Sequence, residues 1–221
     1  MSGALRLHHI PQARSFRILW LLHEMGAPHE VVRLSIFDRS TRRPEHLAVS
    51  PAGRVPALEA AGRAIFESGA IVEHLCETRA PELGRAPGDA ERVDWLEWLH
   101  FAETIGQHVA NLTQQHIVLR EDHMRSPTVM RLEARRLEKT LEVVDRAVAG
   151  RDWLLPSGFS AVDVTVGYSA LVGRRFVALD GMPALRDWLG RIEARPAYRA
   201  ALAEDGPAQL YRRDFYPAPA D

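Results

Sequence analysis

The hydrophobic pattern of this chain changes character once, at the proline- and glycine-rich stretch RAPELGRAPGDAE, residues 79–91. Upstream, apolar residues recur with period two in some segments and with the helical period in others. Downstream only the helical period remains. Strands alternating with helices require a sheet covered by helices, whereas an unbroken helical run buries its apolar stripes against other helices. The chain therefore reads as an α/β domain over residues 1–80, a linker over 81–90 and an all-helical domain with a tail over 91–221. An apolar content of 46% in 221 residues is enough for two small cores.

In the first domain, ALRLHHI alternates and predicts a strand. SFRILWLLHEMGAP carries Phe16, Leu19 and Trp20 on a helical stripe that Gly26 and Pro28 terminate. HEVVRLSI predicts a second strand, VPALEAAGRAIFES a hairpin turning at Gly62, and SGAIVEHLCET a helix capped by Ser68. An irregular stretch separates the second strand from the hairpin. Beyond the linker, Trp95, Trp98, Leu99, Ala102, Ile105, Val109 and Leu112 predict one helix over about 91–124. Leu137, Leu141, Val144 and Val148 predict another over about 128–149. Ser160 followed three residues on by Asp163 forms a capping-box pattern ahead of an apolar run. A last helical stretch is interrupted at Pro196, and LYRRDFYPAPAD either folds over the protein or stays disordered, its prolines and terminal position favouring mobility.

A formal net charge of −1 excludes a global field that would draw nucleic acid or an anionic membrane. No apolar run reaches signal or transmembrane length. Cys76, the single cysteine, cannot form an intrachain disulfide, which fits a reducing, cytoplasmic setting. It shares a helix side with Ile71, Val72 and Leu75 and reads as a small buried hydrophobe. The ten histidines include no HExxH and no pair at four-residue spacing; His116 and His123, seven apart, are only two ligands. No metal is expected. Neither GxGxxG nor GxxxxGK occurs, so no phosphate-cradling loop is expected.

SPAGRVPALEAAGRAIFESGAIVEHL resembles the glutathione-binding signature of the cytosolic glutathione transferases. SFRILWLLHEMGAPHEVV resembles their first helix and second strand, and SAVDVTVGY and ARPAY resemble parts of their helical domain. The resemblance covers nearly the whole chain in order, and the ARSFRILWLL form is most similar to bacterial and fungal members. It implies a thioredoxin-like domain followed by an all-α domain, a homodimer, glutathione as co-substrate, a hydrophobic electrophile as second substrate and a role in detoxification. The electrophile pocket of the family implies Ile105, His108, Val109 and Leu112 as the segment facing it, most of them serving simply as core.

On residues alone, Pro56 suits an edge or a strand start and reads as an ordinary trans proline in a turn. The resemblance implies instead that the Val55–Pro56 bond is cis and that the Val55 peptide pairs with the cysteinyl backbone of glutathione. It implies that Ser68 and the helix start hold the γ-glutamyl carboxylate, for which free N–H groups are apt, and that Glu67 meets the ammonium. Arg42, Arg43, His46 and Arg54 are the candidates for the glycine carboxylate. Taken singly, each also reads as part of a solvated loop.

A family member needs no nucleophile of its own, because glutathione brings the thiol. Lowering a thiol pKa of about 8.5 by two units takes about 2.7 kcal/mol of preference for the thiolate. The position that carries the family's serine hydroxyl falls on Gln12 or Ala13 here, and Leu7, His8 and His9 exclude the tyrosine pattern. Ser15, Gln12 and Arg14, in that order, and the backbone N–H groups at the helix start are the remaining candidates. The missing hydroxyl keeps two other readings open: a glutathione-dependent disulfide or peroxide reductase, and a non-catalytic binding protein on the same scaffold.

Overall fold

The computed structural model describes residues 4–220; residues 1–3 and 221 of the expected domains lie outside it. The chain divides into two compact units. One runs to Pro87 and takes in Ala194–Leu210; the other is Gly88–Glu193 with the tail from Tyr211.

The first unit contains β1 (Leu5–His9), α1 (Phe16–Glu24), β2 (His29–Arg33), α2 (Pro44–Val49), β3 (Ala57–Ala60), β4 (Arg63–Phe66), α3 (Ser68–Thr78) and, from the far end of the chain, α8 (Pro196–Asp205). The strands form one sheet in the order β2-β1-β3-β4. β1 and β2 are parallel, and β3 runs antiparallel to both β1 and β4. This is the mixed thioredoxin-like sheet that the resemblance implied. α1 is buried continuously from Phe16 to Leu22, far more than a one-sided stripe requires. The reason is α8, which covers a further side of it. Tyr198 of α8 meets Trp20 and Phe16 edge-on at 5.1 and 5.8 Å, and Arg195 grips Glu24 with two bonds of 2.7 Å. The sequence boundary at residue 91 therefore leaves out a piece of the first unit.

Two local expectations change. Ser68 is not the cap of α3: Glu67 holds that place at φ 72°, and Ser68 is the first helical residue. The stretch read as irregular contains α2, six residues opened by Pro44 at its first position. Cys76 is buried as expected. Its Cβ lies where a Cβ on Gly84 would come within 2.8 Å, and burial, with Glu82, Glu73 and Glu77 adding to it, pushes the thiol up to about 12.

The second unit is built from α4 (Arg92–Thr113), α5 (Pro127–Val148), α6 (Ala161–Gly173) and α7 (Pro183–Ala194). α4 stops at Thr113 and passes into a π turn at Gln114–Val118, so the helix expected to reach 124 is shorter. α6 is almost wholly buried, as its unpatterned apolar sequence requires. The capping box forms. The Asp163 carboxylate accepts bonds from the N–H groups of Ser160 and Leu154 at 2.9 and 3.0 Å and from Trp188 Nε1 at 3.2 Å. Ile105 and Leu112 are fully buried core residues, and His108 bonds Glu133 at 2.8 Å. The tail is docked rather than free. Tyr211 and Tyr216 are buried, Tyr211 pairs with Thr113 at 2.9 Å, and Tyr216 bonds the Arg175 carbonyl through its N–H and stacks near Phe176 and His116. Among the described residues, no helix is long and apolar enough to cross a membrane.

Candidate functional site

Strand register brings the sequence candidates to one end of the sheet. Ala57 of β3 lies between His8 of β1 and Phe66 of β4. The residues just beyond these pairs, Pro56 and Glu67, are therefore neighbours, with the end of β1 on the other side of Pro56. The Val55–Pro56 peptide is cis. Val55 is half-buried and Arg54 exposed. Gly53, at φ 61°, supports this loop where no other residue fits, because a Cβ there would stand 2.8 Å from the Thr41 carbonyl oxygen. Glu67 is exposed, and its carbonyl accepts the first helical bond of α3 from Ile71. Ser68 is buried and accepts a 3.2 Å bond from Nη1 of Arg17, which is itself buried in α1. Sequence reasoning missed Arg17. The signal was an arginine standing inside an otherwise apolar helical run.

His46 has a different place from the one expected. It is buried, with Nε2 donating to the Arg54 carbonyl at 3.1 Å and Nδ1 3.2 Å from Nδ1 of His8. His8 Nε2 in turn lies 2.8 Å from Glu59 Oε1, which also takes Arg6. A carbonyl and a carboxylate only accept, so His46 Nε2 and His8 Nε2 each carry a hydrogen, and one further proton lies between the two Nδ1 atoms. Two members of the line are perturbed. Burial, with His8 beside it, holds His46 below the usual histidine range, and the His8 bond draws Glu59 below the usual carboxylate range. His46 thus grips the backbone one residue before Val55 from inside the protein, and the exposed cations beside that loop are Arg42, Arg43 and Arg54.

The turn between β1 and α1 carries the three thiolate candidates. Ser15 is fully buried and its hydroxyl is engaged: it accepts from Ile10 N–H at 3.2 Å, pairs with His9 Nδ1 at 2.9 Å and lies 3.3 Å from the Ile10 carbonyl. His9 Nε2 lies 3.1 Å from Asp205 Oδ1, without the alignment of a hydrogen bond. Gln12 and Arg14 are half-buried. Gln12 adopts φ 61°, held there by its N–H on the Asp205 carboxylate at 3.0 Å and its Oε1 on the Leu210 N–H at 2.9 Å. The N–H groups of Phe16, Arg17 and Ile18 bond the carbonyls of Ala13, Arg14 and Ser15, so the helix start has few donors left.

Similarity to known proteins agrees with this geometry. Residues 3–77 match the family model described as glutathione S-transferase, N-terminal domain. The chain is 30% identical to glutathione S-transferase 4 of Zea mays, over 82% of this chain and 83% of that one. It is 24% identical to the disulfide-bond oxidoreductase YfcG of Escherichia coli, over 89% and 93% of the two chains. Among solved structures, a sphingomonad glutathione S-transferase complexed with glutathione superposes with a TM-score of 0.78 at 28% identity, over 92% of this chain and all of that one. With a thioredoxin-like unit, a cis-proline loop set beside a helix start and relatives of this kind along most of its length, the chain belongs to the cytosolic glutathione S-transferase superfamily and is an enzyme of that family.

Proposed function

We propose that the chain binds glutathione at the β1–β3–β4 end of the sheet, lowers the pKa of its thiol and directs the thiolate onto an apolar electrophile. The observation that carries this reading is the cis Val55–Pro56 bond in register with Glu67 and the start of α3. In this reading the Val55 peptide pairs with the cysteinyl backbone. Ser68 and the α3 N-terminus hold the γ-glutamyl carboxylate, and Glu67 takes the ammonium. Arg54, Arg42 or Arg43 meets the glycine carboxylate, while His46 positions the loop from beneath. The half-buried Gln12 and Arg14 face the sulfur, and Ser15 acts indirectly by tying Ile10 and His9 to the helix start. The chain works as a homodimer, a reading supported by its resemblance to the family and by the exposed apolar side chains of Phe66, Leu132 and Val143.

A second reading, glutathione-dependent disulfide reduction, is favoured by the absence of a hydroxyl at Gln12 and Ala13 and by the similarity to YfcG. Cys76 is too buried and too weakly acidic to supply a thiolate. One glutathione thiolate would then attack a mixed disulfide of glutathione, forming glutathione disulfide and releasing the partner thiol with a proton. Calorimetric titration with glutathione tests both readings: saturation in the micromolar to low-millimolar range is expected, and no binding at millimolar ligand overturns both. Turnover of a chloronitrobenzene against a glutathione-capped disulfide separates them. Absorbance of the bound thiolate against pH identifies the residue at the sulfur. Arg14→Ala and Gln12→Ala are expected to raise the thiol pKa, and Ser15→Ala to move it less than either.

A further inference from the structure

The fold assembles a second group of polar side chains on the first unit, away from the cis-proline loop. His23 at the end of α1, His29 at the start of β2 and Glu204 near the end of α8 face one another. His23 Nε2 is 2.7 Å and His29 Nε2 3.3 Å from the same oxygen, Glu204 Oε2. The three ligand atoms all lie within 4.8 Å of one another. The site is partly open, with the Glu204 side chain about a third exposed and His29 nearly covered.

The hydrogen-bond pattern limits what can sit at the centre of this cluster. His29 Nδ1 lies 2.8 Å from the Ala27 carbonyl, which only accepts, so that nitrogen carries the hydrogen. The neutral ring then turns a bare Nε2 lone pair toward a carboxylate oxygen. Two lone-pair bearers at 3.3 Å repel unless a positive centre sits between them. A proton on His29 is one solution. A divalent metal ion is the other, and it leaves both imidazoles neutral.

We infer that His23, His29 and Glu204 form a binding site for a divalent transition metal of the zinc class, with water completing the coordination. Metal bonds of about 2.0–2.1 Å at tetrahedral angles separate ligand atoms by about 3.3 Å, so small side-chain rotations close the triangle. Imidazole and carboxylate donors suit Zn²⁺, Ni²⁺ and Cu²⁺ rather than Ca²⁺ or Mg²⁺. The Ala27 carbonyl fixes the tautomer of His29, as outer partners do for metal-bound histidines. Arg33 is directed at the backbone carbonyls of Glu204 and Asp205 rather than at the Glu204 carboxylate, and Glu204 stands in the last turn of α8, the end of a helix that carries partial negative charge. Metal binding would clamp α8 to α1 and β2, an attachment that spans about 175 residues of sequence between His29 and Glu204.

The test uses the full chain without an affinity tag, freed of metal by chelation and titrated with Zn²⁺ and then Co²⁺. One ion per chain is expected, with a rise in Tm and with cobalt bands of a four-coordinate site. His29→Ala and Glu204→Gln should each weaken zinc at least about tenfold, the lower end of what even an outer partner contributes to a metal site, while His46→Ala leaves zinc affinity unchanged. In the wild-type chain, cobalt should broaden or shift the ring signals of His23 and His29, a readout that needs no variant to fold. No saturable uptake below millimolar metal, uptake that survives both substitutions, or cobalt effects confined to other histidines would each overturn the assignment.

Discussion

The first unit holds two clusters of the same composition, two histidines and one glutamate, and they behave as opposites. In the His8–His46–Glu59 line every ring nitrogen has one partner, and the line ends on the Arg54 carbonyl. Nothing further can enter, and what the line does is hold a loop. In the His23–His29–Glu204 cluster both rings converge on one carboxylate oxygen from different sides, leaving a centre for a cation. A linear arrangement saturates its donors and acceptors among themselves; a convergent one leaves them aimed at a common point. Residue content alone therefore does not tell a structural cluster from a binding one.

Substitution in the closed line has the largest expected effect. His46→Ala strands a buried nitrogen of His8, at a cost of about 1–3 kcal/mol, and takes from the Arg54 carbonyl its partner. We expect glutathione affinity to fall at least about tenfold, equivalent to about 1.4 kcal/mol, together with a lower Tm. Calorimetry and thermal melting check this, and an unchanged affinity would mean that the line does not position the loop.

Acid should separate the two clusters next. His46 titrates below its ordinary 6.5 because burial disfavours its charged form, so between those values the unfolded chain binds the extra proton. The stability this group contributes is complete above 6.5 and declines as pH falls below it. Glu59 and Glu204 are both lowered from 4.5, so their contributions decline only as pH falls below that value. For Glu204 burial works against the shift, and bonds to His23 and His29 outweigh it. Melting curves against pH should show a loss of Tm beginning below 6.5 that His46→Gln removes. A wild-type profile that stays level until the carboxylate range would break the distinction.

The smallest effect is expected at the open cluster without metal. His29→Ala should lower the stability of the metal-free chain less than His46→Ala does, and leave glutathione affinity as it was. Titration of this variant beside His46→Ala would measure the contrast directly.

Much of the fold was legible because hydrophobic period is a local property. The strands, α1, α3 and the capping box at Ser160 and Asp163 could all be read from residues within a few positions of one another. α2 was not, since six residues are too few to establish a period. The candidate site was half legible. Its loop and helix start follow each other in sequence, and the cis bond entered through resemblance. The inward turn of Ser15 and the hold of His46 on Arg54 depend on side-chain directions that spacing does not encode. His23, His29 and Glu204 share no local spacing, so a search for metal patterns passed over them.

By itself, then, the sequence determined the kinds of element, their order, the change from α/β to helix and the family resemblance, because these rest on short-range periodicity and contiguous motifs. Tertiary structure alone decided that α8 leaves the helical part to pack on α1, that one pair of histidines is closed and another open, and that Ser15 points inward. Those outcomes depend on contacts between residues up to nearly two hundred positions apart, where the burial of Tyr198, the Arg195–Glu24 pair and the Asp205 carboxylate on Gln12 select one packing.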